Sequence, residues 1–195
     1  MARAPGSPAM PTLRFLLSPA HLGGARAARL TSLDARFAVA QSYRDGTLSI
    51  GEAFSWISAL YFRAKLRYAR HFGARHGGGP AQVIAPGFGL VAEDWLLSGE
   101  RFTRLCQVPV DTQDRRFRQP LEAACAGLAR SLDRDDRIVF LGGLAGDRYL
   151  AVLAPALGPR LFVPIDFVGR GQMQRGSLLL QAIAENRELA YSPAP

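Results

Sequence analysis

The sequence predicts an α/β protein: a mainly parallel sheet of about four to five strands, covered by helices on both faces, in a single domain over residues 12–191. Three observations predict it. Short apolar runs at 13–17, 83–85, 138–141 and 161–165 have the length and continuity of strands buried on both sides. The stretches between them carry the apolar spacing of helices. Each run then ends at small or turn-forming residues, namely Ser18-Pro19, Pro86-Gly87-Phe88-Gly89, Gly142-Gly143 and Gly169-Arg170-Gly171. Open α/β sheets bind ligands outside the carboxyl ends of their strands, so these four turns are expected to share one mouth.

The elements follow in order. After the first strand, residues 33–43 have helical periodicity and stop at Asp45-Gly46. Ser49, three residues before Glu52, reads as a capping box opening a helix over 50–72 with Gly73 as its C′ residue. Residues 77–80 turn into the second strand. Residues 98–119, polar and holding Arg115, Arg116 and Arg118, read as a loop over the sheet edge. Helices over 120–132, 147–157 and 172–188 alternate with the later strands. Residues 1–11 and 192–195, rich in Pro, Ala, Gly and Ser, read as tails.

Composition bounds the function. The 195 residues carry a net charge of +8, and of 24 basic residues only Lys65 is lysine. Clustered cations displace counterions from a phosphate backbone, which points to nucleic acid; the same excess of Arg, with abundant Ala and Gly, also suits a compositional bias. Cys106 and Cys125 have neither metal-site spacing nor the density of a disulfide scaffold, so a reducing compartment is expected. Nothing approaches a membrane span, and the expected location is the cytoplasm, without a metal or cofactor.

Two constellations carry chemistry. On the 50–72 helix, Arg63, Arg67 and Arg70 form one stripe, which reads most simply as a solvated face, and Tyr61, Lys65, Tyr68 and Phe72 form another. Lys65 either snorkels over those aromatics or is a functional amine, since lysine, unlike arginine, can lose its proton when buried. The segment from Gly169 to Arg175 joins a strand end to a helix start. Arg170 and Arg175 there oppose the helix dipole unless an anion is bound, and Arg175 falls on the helix face of Leu179 and Ala182. The alternative for Arg175 is an internal salt bridge to Asp147 or Asp166. The glycines of Gly142-Gly143-Leu144-Ala145-Gly146-Asp147 permit close approach of a ligand without forming a Walker motif. Ser18 and His21 lack the Gly-x-Ser-x-Gly elbow of a hydrolase, and His71 and His76 flank the end of the long helix.

Laid out in order, these segments resemble the bacterial peroxide-stress resistance family. Ser18-Pro19-Ala20-His21 is similar to that family's Ser-Pro-Ala-Lys, and Pro86-Gly87-Phe88-Gly89-Leu90-Val91 to its second turn, with Arg101 where a later arginine falls. Leu144-Ala145-Gly146-Asp147-Arg148-Tyr149 resembles its Leu-Ala-Ser-x-Glu-Tyr. Gly169-Arg170-Gly171-Gln172-Met173-Gln174-Arg175 resembles its Ala-Arg-Gly-x-Met-x-Arg. His21 and Arg148 stand where the family has lysine and glutamate. Residues 60–69 are also similar to a helix in bacterial relatives of archaeosine-type tRNA-modifying enzymes. These resemblances imply a DNA-binding protein linked to oxidative DNA damage, or a protein acting on tRNA, a nucleotide or a nucleobase.

The expectation is therefore a nucleic-acid-binding protein with a phosphate site built from Arg170, Gly171, Arg175, Gly87, Gly89, Gly143 and Arg101. Lys65, Ser18 and Asp147 are the candidate catalytic residues of the alternative, a nucleotide- or tRNA-modifying enzyme using the same pocket. A structural domain with no ligand is the third reading, and the oligomeric state is left open.

Overall fold

In the computed structural model, which describes residues 11–58, 60–144 and 148–195, six strands form one mixed sheet. They are β1 (Leu13–Leu17), β2 (Gln82–Ala85), β3 (Gly89–Ala92), β4 (Arg137–Leu141), β5 (Leu161–Pro164) and β6 (Tyr191–Pro193), in the spatial order β3-β2-β1-β4-β5-β6. The four strands read from apolar runs make the parallel centre, with β1 between β2 and β4. β3 and β6 extend the edges antiparallel.

Both edge strands depart from expectation. Gly87 and Gly89 adopt φ values of +83° and +85°, so the chain reverses tightly after β2 and returns beside it as a hairpin. Residues 192–195 are not wholly a tail either, because Ser192 and Pro193 pair with β5. A proline is tolerated at an edge, where its missing N–H faces no neighbouring strand.

The helices are α1 (Ala25–Leu30), α2 (Ala38–Arg44), α3 (Ile50–Ser58), α4 (Tyr61–Gly73), α5 (Gly99–Gln107), α6 (Arg115–Arg130), α7 (Leu150–Leu157) and α8 (Gln172–Ala184). The capping box forms: Ser49 Oγ accepts the Glu52 amide at 3.3 Å, and Glu52 Oε2 accepts the Ser49 amide at 3.0 Å. The helix it opens is α3, however, and the expected single helix is divided between α3 and α4. Gly73 stays helical, and the left-handed residue comes after a short 3₁₀ turn at Gly77, where φ is +63°. The expected loop at 98–119 contains α5 and the start of α6. Ser98 Oγ accepts the Arg101 amide at 3.2 Å and Asp114 Oδ1 accepts the Arg116 amide at 2.8 Å, so each helix starts on its own side-chain cap.

Alternation along the strands sends side chains to two cores. Leu13, Phe15 and Leu17 of β1, Val83 and Ala85 of β2, and Val139 and Leu141 of β4 meet α1, α3, α4 and α8 on one face. Leu16, Ile84, Ile138 and Phe140 meet α6 and α7 on the other. Each buried Leu, Ile, Val or Phe among these contributes about 1.5–3 kcal/mol. At the amino end of the sheet Asp136 clamps the start of β1: its Oδ1 accepts the Thr12 amide at 2.8 Å and hydroxyl at 2.7 Å, and its Oδ2 the Asp133 amide at 3.0 Å. Among the described residues no helix is long and apolar enough to cross a membrane.

Candidate functional site: a basic cavity over a buried lysine

The carboxyl ends of β1, β4 and β5 open into a cavity of about 980 Å³. Ser18 and His21 enter it after β1, Gly143 and Arg148 after β4, and Arg170, Gly171 and Arg175 after β5. Arg26 of α1 adds a fourth guanidinium, and none of the described lining residues is acidic. Asp147, a candidate catalytic residue and a candidate partner for Arg175, lies outside the described residues.

Arg175 is buried at 7% exposure. Its Nε donates to the Phe167 carbonyl at 3.1 Å and its Nη1 to the Gly142 carbonyl at 3.2 Å, while the group lies 5.3 Å from the Phe167 ring centre. Two carbonyls and a ring fix the plane of the fork, yet a guanidinium has five N–H donors, so donors remain for the cavity. Among the described residues Arg175 makes no ion pair, with Asp166 or any other carboxylate. The next residue, Gly176, lets α8 approach the start of α4: a Cβ there would stand 3.2 Å from Leu60 Cγ and 3.5 Å from Tyr61 Cα. That approach places Arg175 beside Tyr61. Burial pushes the Tyr61 hydroxyl up, with Arg175 opposing it, and pushes Tyr149 up to about 12, so both phenols stay protonated. Tyr61 Oη is buried and has no hydrogen-bond partner among the described residues.

Lys65 does not snorkel. It is 1% exposed, beneath Ser18, with its Nζ 4.7 and 4.9 Å from the Tyr61 and Phe62 ring centres. The amine donates to the Ser18 carbonyl at 2.6 Å and lies 2.7 Å from Ser18 Oγ. Among the described residues no carboxylate neutralises it, and burial lowers its pKa well below the ordinary lysine value. Both contacts of the amine thus go to one residue, Ser18, while burial favours its neutral form.

The fold thus brings together Ser18, Gly143, Arg170, Gly171 and Arg175 around one cavity, with Lys65 behind Ser18. The Gly171 amide at the start of α8 is itself engaged, donating to Gln174 Oε1 at 3.0 Å. Three expected members are elsewhere. Gly87 and Gly89 serve the β2–β3 reversal and close packing, since a Cβ on Gly89 would stand 2.4 Å from the Pro120 carbonyl oxygen. Arg101 caps the Leu96 carbonyl at 2.7 Å and covers the Trp95 ring. His21 shares the cavity but makes no hydrogen bond with Ser18 among the described residues, whose hydroxyl partner is Lys65. Arg26, Arg148 and Tyr149 were missing from the expected site; the pair Arg148-Tyr149 follows a glycine-rich strand end, which was signal enough, whereas Arg26 sits on a helix that periodicity did not reveal. Across the 169–171 turn a second, mostly apolar cavity of about 680 Å³ shares Arg170, Gly171 and Arg175 and is walled by Leu144, Val163 and Val168. Among the described residues no group of His, Cys, Asp or Glu is arranged to hold a metal ion.

No protein-family model, curated protein or solved structure matches this chain.

Proposed function

We propose that the cavity binds the phosphate of a nucleotide, as a unit of a nucleic-acid strand, so that the chain is a nucleic-acid-binding protein of the peroxide-stress type. The observation that carries this reading is Arg175, buried, held by two carbonyls and lacking a carboxylate among the described residues. A buried cation without a counter-charge is costly, and a bound phosphate supplies one in the bidentate geometry that a guanidinium prefers. Arg148 and Arg170 at the rim favour the same anion and its approach. The volume suits a single nucleotide rather than the broad face of a duplex, which favours a strand end or an extruded unit.

Fluorescence anisotropy of labelled single-stranded and duplex DNA and of tRNA across a salt series tests this, with Arg170→Gln as the comparison. The expected result is affinity for strands with a free end, falling by about 0.7 logarithmic units per phosphate contact for each tenfold rise in salt, and weakened in the variant. Thermal stabilisation by mononucleotides without strand binding would move the function to a nucleotide enzyme. Absence of both responses would favour a structural domain with no ligand.

A further inference from the structure

We propose that Ser18 and Lys65 form a nucleophile–base pair that hydrolyses acyl esters at the floor of the basic cavity. The proposal rests on the proposed function only for the anionic character of the substrate. Two observations carry the pair itself. Lys65 Nζ stands 2.7 Å from Ser18 Oγ, inside the range in which a base takes a hydroxyl proton, and Ser18 belongs to the lining of the cavity. The second contact of the amine, 2.6 Å to the Ser18 carbonyl, holds the base in register with the residue it activates. His21 cannot substitute in this arrangement, since the Ser18 hydroxyl is engaged from below by lysine and not by imidazole.

The surroundings suit that chemistry. Lys65 lies between aromatic rings and is closed to solvent, which favours the neutral amine a base must be. Ser18 stands beside the end of β4, its amide donating to the Leu141 carbonyl, and the next residue, Gly142, has its carbonyl on Arg175 Nη1. Arg175 and Ser18 thus line the same cavity, and the guanidinium donors not bound to carbonyls are available to the negative oxygen that develops on an attacked carbonyl.

The step is balanced with water as the only co-reactant. Ser18 Oγ forms a bond to the acyl carbon as its proton passes to Lys65 Nζ. The ester C–O bond then breaks, and the departing alkoxide takes that proton. Water next adds to the acyl carbon, giving a proton to Lys65, which returns it to Ser18 Oγ as the acyl–serine bond breaks and the acid leaves. Lys65 ends as it began, neutral.

A fluorophosphonate probe, which labels activated serines, tests the pair on the full chain, with the modified peptide located by mass spectrometry. Ser18 is expected to be the labelled residue. Labelling is expected to vanish in Ser18→Ala and to fall by about a hundredfold or more in Lys65→Met. Absence of label on Ser18 in the wild type, or undiminished labelling in Lys65→Met, would overturn the proposal; the first is read on the wild type and holds even where Lys65→Met fails to fold. A short-chain p-nitrophenyl ester gives the turnover, expected in the wild type and absent in Ser18→Ala. Labelling that mononucleotides do not slow keeps the dyad and removes the nucleotide reading, whereas nucleotide binding without labelling does the reverse.

Discussion

Replacing Lys65 by methionine keeps the length of the side chain in its apolar slot and removes only the amine, so it isolates the titration of that group. In the unfolded chain lysine titrates near 10.4; in the fold, burial lowers the value well below this. Below the folded value both states hold the proton and the fold carries the full cost of a buried charge. Above about pH 10.4 neither holds it and that cost is gone. Between the two, only the unfolded state is protonated, so the wild type gains stability as pH rises, by up to about 1.4 kcal/mol per pH unit. A second contribution is independent of pH: methionine leaves the Ser18 carbonyl and hydroxyl without their Lys65 contacts, a loss of about 1–3 kcal/mol. The variant is therefore expected to compare best with the wild type at the acidic end of the range and worst at the alkaline end. Urea unfolding of both proteins at half-unit steps of pH measures the difference. Parallel curves throughout would refute the reasoning, because they would mean that Lys65 titrates alike in the folded and unfolded chain.

Three further outcomes are expected. Arg170→Gln, at an exposed position, weakens anion binding with a stability change within about 0.5 kcal/mol, whereas Arg175→Gln, which strips contacts from two buried carbonyls, lowers stability by about 2–4 kcal/mol; denaturant melts beside the binding assay separate the two. Asp136→Ala orphans the Thr12 and Asp133 amides and costs about 2–4 kcal/mol in a urea melt. Burial opposes ionisation of Asp136, but the hydrogen bonds from Thr12 and Asp133 outweigh it and hold the carboxyl below its ordinary range, so its stabilisation is complete above about pH 4 and fades as the pH drops through the lower folded value; the acid limb of the stability curve flattens in the variant. Gly89→Ala meets both a φ of +85° and the Pro120 carbonyl oxygen, and is expected to cost about 3 kcal/mol or more, read as a lowered thermal midpoint with the cavity residues untouched.

The central sheet was legible because its signal is local: a strand buried on both faces is a run of apolar residues, and β1, β2, β4 and β5 each present one. The edge strands carry no such run. β3 begins at a glycine and is only half-buried, and β6 contains a proline, so pairing with neighbours rather than composition makes them strands. The division between α3 and α4 was invisible for the opposite reason, since the apolar period continues across it. For the site, strand ends pointed to Ser18, Gly143 and Arg175, whose positions follow from topology alone. Gly87, Gly89 and Arg101 were misplaced because β2 ends beside α5 and α6, away from the cavity. That Lys65 reaches Ser18 is a contact across 47 residues, which no spacing rule encodes.

The central place of β1 has a consequence for how the site comes into being. Thr12 is bonded to Asp136 across 124 positions, and the guanidinium of Arg175 is anchored to Gly142 across 33 more. Non-local pairing of this kind must close large loops before any contact rewards it, and folds slowly. During synthesis from the amino end, Ser18 and Lys65 are made early, yet the strand that flanks them and Arg175 of α8 are made in the second half of the chain. A nascent chain therefore carries Ser18 and Lys65 well before the residues of β4 and α8 that complete the cavity around them.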